Sequence, residues 1–384
     1  MKKEIYMDHA ATTKLCPEAR AAMEPFMEKE FGNASTSYTL GTKARKAVED
    51  ARELIANVIG AQPDEIYFTS GGSESDNWAI KSIAGVQKPK GRHIITSAIE
   101  HHAVLNSCAY LEDLGYQVTY LNVDREGIID FEQLERVVGR DTTLISIMCG
   151  NNEIGTLEPI REIGIFARSR GIPFHTDAVQ AIGQVPIHVK NLPIDLLSAS
   201  SHKFYGPKGV GFLFLRNGLH LPSLIHGGGQ ERGKRAGTEN VAGIVGMAEA
   251  LRVADRSMYQ HMQQITMLRE EMIEGILQQI PDVKLNGSRT RRLPGNISIS
   301  IRGVEATTLL VLLEEEGIIA SAGSACTTKK VRMSHVIEAI KVPKEYANGT
   351  IRFSLGKENT LDDVEHCVRV LRESVKLLRQ VEEA

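Results

Sequence analysis

The amino-acid sequence predicts an α/β protein: a mainly parallel sheet with helices on both faces, followed by a smaller α+β portion. From about residue 64 to 215, short β-rich runs alternate with longer amphipathic stretches, the pattern of parallel strands joined by crossover helices. Most of those runs are apolar on both faces, as strands of a covered sheet must be. With 384 residues the chain also exceeds the size at which one core usually keeps growing, so a second, smaller core is expected.

The strand candidates, in order, are 65–70 (EIYFTS), 93–98 (HIITSA), 117–123 (QVTYLNV), 143–148 (TLISIM), 173–178 (PFHTDA), 195–200 (DLLSAS) and 210–215 (VGFLFL). After Gly237 a stretch from about Asn240 to Ile280 has helical periodicity and stops at Pro281, which cannot continue a helix. It is expected to link the two cores. Strands are then expected at 296–301, 318–323 and 350–355, with helices at 305–316 and 361–382 between and after them. The large domain reads as 14–255, and the small one as 1–13 with 256–384.

Forty-five Lys+Arg against 48 Asp+Glu leave a net charge of -3, which argues against a broad footprint for nucleic acid or an anionic membrane. No apolar run approaches the roughly 20 residues of a membrane span. The five cysteines, Cys16, Cys108, Cys149, Cys326 and Cys367, are scattered and odd in number, so neither a zinc site nor a disulfide framework is expected. A reducing, cytoplasmic setting follows from that reading.

In an open parallel sheet, ligands bind beyond the carboxyl ends of the strands. Three strand ends carry polar residues there. The run 65–70 leads into Gly71-Gly72-Ser73 at the start of a helix, where free N–H groups and the helix dipole attract an anion. A plain helix cap by Ser73 explains the same residues equally well. Asp177 closes an apolar strand, and capping a helix from Ala178 is its ordinary explanation. Lys203 follows the small-residue strand end SASSH. A buried lysine loses its charge readily, and the neutral amine is the form that condenses with a carbonyl. Lys208, inside the following Gly-Pro turn, is the rival. Cys326 sits in SAGSACTTKK, without apolar neighbours and near Lys329 and Lys330, which favour the thiolate; this stretch is expected to be mobile. The other four cysteines lie in apolar patterns and receive no chemistry.

Taken together, YMDHAATT (6–13), FTSGGSESDNWAIK (68–81), IEHHAVL (99–105), CGNNEIGT (149–156), HTDAVQAIGQ (175–184), SASSHKFYGPKGVG (198–211), HGGGQERGKRAGTEN (226–240), SAGSACT (321–327) and TIRFSLG (350–356) resemble the cysteine desulfurases of the NifS/IscS type, within the fold-type I pyridoxal-phosphate enzymes. The resemblance covers essentially the whole chain. It implies that Lys203 carries pyridoxal 5'-phosphate covalently and later shuttles a proton, with His101 stacked on the ring. Asp177 would pair with the pyridine nitrogen, since a protonated pyridinium is the electron sink, and Gln180 with the phenolic oxygen. Gly72, Ser73, Ser200 and His202 would hold the phosphate. Thr238 would reach the phosphate of a neighbouring subunit, which implies a homodimer. Asn152 and Arg352 would grip the carboxylate of the substrate, L-cysteine, and Cys326 would accept its sulfur as a persulfide for a protein acceptor.

The chain departs from the usual family pattern in places. His9 follows Asp8 where Asn or Tyr is common, Ala34 ends a turn that is usually Gly-Asn-Pro, and the phosphate turn has Gly72 where Ala is usual. Met148-Cys149-Gly150 and SAGSACTT are further variants. Ser73 keeps the hydroxyl, so only modest tuning of the pocket is expected.

Overall fold

The computed structural model describes residues 3–322 and 333–382. Strand β1 (Ile5–Tyr6) lies near the start of the chain, far in sequence from its eventual partner. Seven strands then build the central sheet: β2 (Ile66–Thr69), β3 (His93–Ser97), β4 (Gln117–Leu121), β5 (Thr142–Ser146), β6 (Phe174–Asp177), β7 (Leu196–Ser200) and β8 (Gly211–Leu215), in the order β2-β8-β7-β6-β5-β3-β4. Neighbours from β7 to β4 pair in parallel, and β8 runs antiparallel to both β7 and β2. The strands expected from the β-rich runs are therefore all present in one sheet. Those of β5 to β8 are buried along their whole length, which is why they read as apolar on both faces.

Helix Gly72–Gln87 covers one face of this sheet with Trp78, Ile80 and Ile83, all but inaccessible to solvent. On the other face, Thr39–Ile59 packs Ile55 and Ile59 into the core and ends at Gly60, whose φ of 72° is the left-handed turn that closes the helix. The long helix Val241–Gln279 begins where the Asn240 side chain accepts a hydrogen bond from Gly243 N–H at 3.0 Å, and it ends one residue before Ile280-Pro281. At 39 residues it is about 58 Å long. Its first half buries Ile244, Met247 and Leu251 beneath the central sheet, and its second half buries Leu268, Met272 and Ile276 in a separate apolar cluster.

That second cluster is built on β9 (Val283–Leu285), β10 (Asn296–Ile301) and β12 (Thr350–Ser354), antiparallel in the order β12-β10-β9. Helices Ala306–Glu315 and Leu361–Glu382 cover it. The strand expected over 318–323 is the two-residue β11 (Ile318–Ile319), paired in parallel with β1. Ile5 and Met7 thereby join the second cluster. After residue 332 the chain returns to the first, where Val336, Ile337 and Ile340 are buried. Among the described residues no helix is long and apolar enough to cross a membrane.

Candidate active site

The three polar strand ends converge. Together with the segment Ala10–Thr12 and with β12, they enclose a cavity of about 760 Å³. It is lined at the start of helix Gly72–Gln87 by Gly72 and Ser73, and further by Ser200, His202, His101, Asp177, Gln180 and Lys203. Asn152 and Arg352 line the side towards β12. Thr238 does not reach this cavity; it is exposed in the turn before the long helix. Cys326 lies outside the described residues. Ser321 and His335, on either side of it in sequence, both line the cavity.

At the start of helix Gly72–Gln87, Gly71 has φ 150° and ψ -174°, a conformation that only glycine adopts without strain. It turns the chain from β2 into helix Gly72–Gln87, and no side chain caps that helix. The first amides of the helix have no partner within it and open on the cavity. Glu74, the acid of the first turn, is neutralised by Arg235, whose Nε lies 2.8 Å away. His202 Nδ1 meets Thr12 Oγ1 at 3.1 Å, and burial, helped by Lys203 and Lys208, pushes this imidazole down to about 4, so it is neutral.

Deeper in, turns rather than a helix follow Asp177, and its Oδ1 accepts the Val179 N–H at 2.9 Å. Burial raises its carboxyl, while His101 and Lys203 oppose the rise. His101 caps helix His102–Asp113: its Nδ1 accepts from Ala103 N–H at 3.1 Å, which leaves the proton of the neutral ring on Nε2. Burial lowers its basicity, with Asp177 pulling the other way. Gln180 Nε2 donates to Ala10 O at 2.9 Å. The same carbonyl accepts from Lys203 Nζ, which also donates to Ala11 O at 2.8 Å. Burial and then the charge of Arg352 push the Lys203 amine down to about 8. Lys208 lines the rim and makes no comparable contact, and its side chain is exposed.

Arg352 is held from two sides, by Asp8 Oδ1 at 2.8 Å from Nη2 and by Asn152 O at 2.9 Å from Nη1. Among the described residues its buried Nε has no partner, a donor left over for a ligand. The acid it pairs with comes from the N-terminal segment, not from its own strand. Asn151 is consumed structurally, donating to Ile99 O and accepting from Glu153 and Ile154 N–H, and this frees Asn152 to face the cavity.

The turn bearing Thr238 is tied to the sheet by a buried ion pair. Arg52 donates to Glu231 at 2.8 and 2.9 Å, and Glu231 also accepts the Phe68 N–H of β2 at 2.9 Å. Glu231 and Arg232 take left-handed φ values of 47° and 57° to make this fit. The four described cysteines are buried; burial pushes the Cys108 and Cys149 thiols up to about 12 and raises those of Cys16 and Cys367 as well, so none is an activated nucleophile.

Sequence reasoning missed the acids Asp8, Asp76, Glu100 and Glu153, which all lie in or at this cavity. Asp76 sits on the inner face of a helix amid Trp78, Ala79 and Ile80, a buried acid in an apolar register, and that was the available signal. The carbonyls of Ala10 and Ala11 had no signal at all. The donor set fits a small ring bearing a phosphate: uncapped amides at one end, an acid and an imidazole deeper in, and an amine near its neutral form.

A family model described as Aminotransferase class-V matches residues 5–367. The chain is 51% identical to a protein of Dictyoglomus turgidum named cysteine desulfurase IscS, over 99% of this chain and 97% of that one. It is 50% identical to a protein of the same name from Methanosarcina thermophila, over 99% and 94% of the two chains. A solved structure described as a NifS-like protein superposes with a TM-score of 0.92 at 37% identity, covering 98% of this chain and all of that one.

Proposed function

Because the chain belongs to the aminotransferase class-V family, we propose that it is a pyridoxal-phosphate-dependent cysteine desulfurase, which takes sulfur from free L-cysteine, releases L-alanine and leaves a persulfide on Cys326. One observation supports this most: the Lys203 amine, the Asp177 carboxyl, the uncapped helix start and the spare Nε of Arg352 border a single cavity.

Pyridoxal phosphate, when bound, supplies the electron sink that makes breakage of the substrate's Cα–H and C–S bonds feasible. The chain's own residues do the rest. Gly72 and Ser73 amides, with Ser200 and His202, would hold the phosphate, and Asp177 would pair with the ring nitrogen. His101 would stack on the ring as a neutral imidazole, and Gln180, aimed by Ala10 O, would meet the phenolic oxygen. Lys203, with its lowered basicity, would hold the cofactor covalently, and its amine, when free, would take the proton at Cα and return it. Arg352 and Asn152 orient the substrate carboxylate. Cys326, as thiolate, attacks the substrate sulfur; the C–S pair goes back to carbon, the carbon skeleton leaves as alanine, and the sulfur stays as a persulfide.

The partner is a second copy of the chain, with Thr238 of each copy reaching the other's phosphate site; its exposed position away from its own cavity fits that role. The persulfide then passes to an acceptor protein of iron–sulfur assembly, thio-cofactor synthesis or tRNA thiolation, in a reducing cytoplasm that suits four buried free thiols.

The decisive experiment separates cofactor chemistry from thiol chemistry. Cys326→Ser is expected to bind pyridoxal phosphate and to change its absorbance on adding cysteine, yet to form almost no alanine and no protein-bound persulfide. Lys203→Ala is expected to lose both the borohydride-fixable linkage and turnover. Alanine formed by Cys326→Ser at the wild-type rate overturns the proposal, and a linkage mapped to Lys208 overturns the lysine assignment.

A further inference from the structure

Beside the acid assigned to the ring nitrogen stands a second one that the proposed reaction does not use. Asp76 is 1% exposed on helix Gly72–Gln87 and brings a carboxylate oxygen within 4.8 Å of both Asp177 and His101. Its Oδ1 has no hydrogen-bond partner among the described residues. The titratable groups around it are Asp177 and His175 of β6, Glu100 and His101, and Ser198 of β7 hydrogen-bonds it, which opposes the rise that burial and Asp177 impose. His175 Nε2 stands 3.6 Å from Oδ1 but is engaged by Ser198 Oγ at 3.0 Å, while Nδ1 is engaged by Ser146 Oγ at 2.8 Å. Burial holds that ring at about 3, so it supplies no countercharge.

Asp177 is placed differently. His101 and Lys203 both favour its ionised form, and it accepts a backbone N–H. Two buried carboxyls this close resist carrying two charges, and His101 lies near both, so the shared proton belongs on the acid that lacks the pull of Lys203 and the Val179 N–H. We propose that Asp76 is a positioning residue that keeps a proton and thereby confines the single negative charge of the pair to Asp177, where the ring nitrogen is met. This rests on the reading of the cavity as a pyridoxal-phosphate site, and it assigns the ring's electronic control to a residue outside contact with the substrate.

The test uses cofactor-free protein. An acid neutral in the folded state and ionised in the unfolded chain binds an extra proton on folding. Its stabilising effect is complete below the unfolded pKa and is lost as pH rises towards the folded pKa. Asp76→Asn has the shape of the neutral acid without its titration, and Glu100, held near 8 by burial, tilts both proteins alike. Relative to wild type, the folding equilibrium of the variant is expected to improve about tenfold per pH unit above about pH 4, read from urea midpoints. Infrared spectra at neutral pH are expected to show protonated-carboxyl absorption that is weaker in Asp76→Asn, the remainder coming from Glu100, which is shared by both proteins. A variant less stable by a constant factor at every pH, or increasingly less stable as pH rises, overturns the proposal, as does an unchanged infrared band. Failure of the protein to take up pyridoxal phosphate would sink the functional reading, while the pH slope decides this one independently.

Discussion

The reactivity of Lys203 can be read from its surroundings and tested by moving them. Burial and Arg352 bring its amine from 10.5 to about 8, against the attraction of Asp177 and Asp8. At pH 7 such an amine is neutral about one time in ten, against about one in three thousand for an ordinary lysine, so capture of an aldehyde gains about 300-fold. The assay follows borohydride-fixable uptake of pyridoxal phosphate by cofactor-free protein across pH, and the rate is expected to rise with a midpoint near 8. Two substitutions should shift that midpoint in opposite directions. Arg352→Gln removes the repelling charge and frees Asp8 to attract the ammonium, so the midpoint rises. Asp8→Asn keeps an acceptor for Arg352 and removes an attracting charge, so the midpoint falls. A midpoint near 10 in wild type, or shifts of the same sign in both variants, would falsify the electrostatic account.

Three other expectations follow from named contacts. Gly71→Ala forces a side chain into φ 150°, at a cost of about 1–3 kcal/mol; it should weaken binding of pyridoxal phosphate far more than of pyridoxal, measured by fluorescence titration. Arg52→Ala leaves Glu231 charged and buried without its partner, so urea unfolding should show a loss of about 3–5 kcal/mol, much of it restored by replacing the pair with Met and Leu. Mixing inactive Lys203→Ala subunits with Thr238→Val subunits should regenerate sites of native cofactor affinity, because one site of each mixed dimer is intact; no recovery would show that Thr238 serves its own chain.

Much of the framework was legible because it depends on local chemistry. Each strand of the central sheet announced itself as a short apolar run, and the long helix announced both ends, through Asn240 and Pro281. Strand order was not legible, since β8 is inserted between β2 and β7 by long-range pairing. The run 318–323 misled in length because its partner is the two-residue β1, more than 300 residues away, and such a partner leaves no periodic trace. In the site, position after an apolar strand marked Lys203 and Asp177 only as candidates, beside a rival lysine and a plain helix cap, and their roles came from the resemblance of the surrounding motifs. The ledge made by Ala10 O and Ala11 O was not, because a carbonyl carries no signature in sequence. Gly356 shows the same limit: a Cβ there would stand 2.3 Å from the ring of His9, a constraint visible only once the N-terminal segment is docked.

The docking of that segment also orders events in time. Asp8 and the Ala10 and Ala11 carbonyls leave the ribosome early, but the guanidinium that Asp8 holds belongs to residue 352, and β1 waits for β11. Domains generally begin to fold during synthesis, from the N-terminal side. A nascent chain can therefore complete the sheet that carries Lys203 long before Arg352 and its clasp on Asp8 exist. The electrostatic pressure that Arg352 exerts on the amine is then missing, and Lys203 stays closer to an ordinary ammonium. Burial, the larger influence, can lower the amine once the sheet around it has closed, and the last strand adds the second push, so the tuning of the lysine is completed only when the chain is.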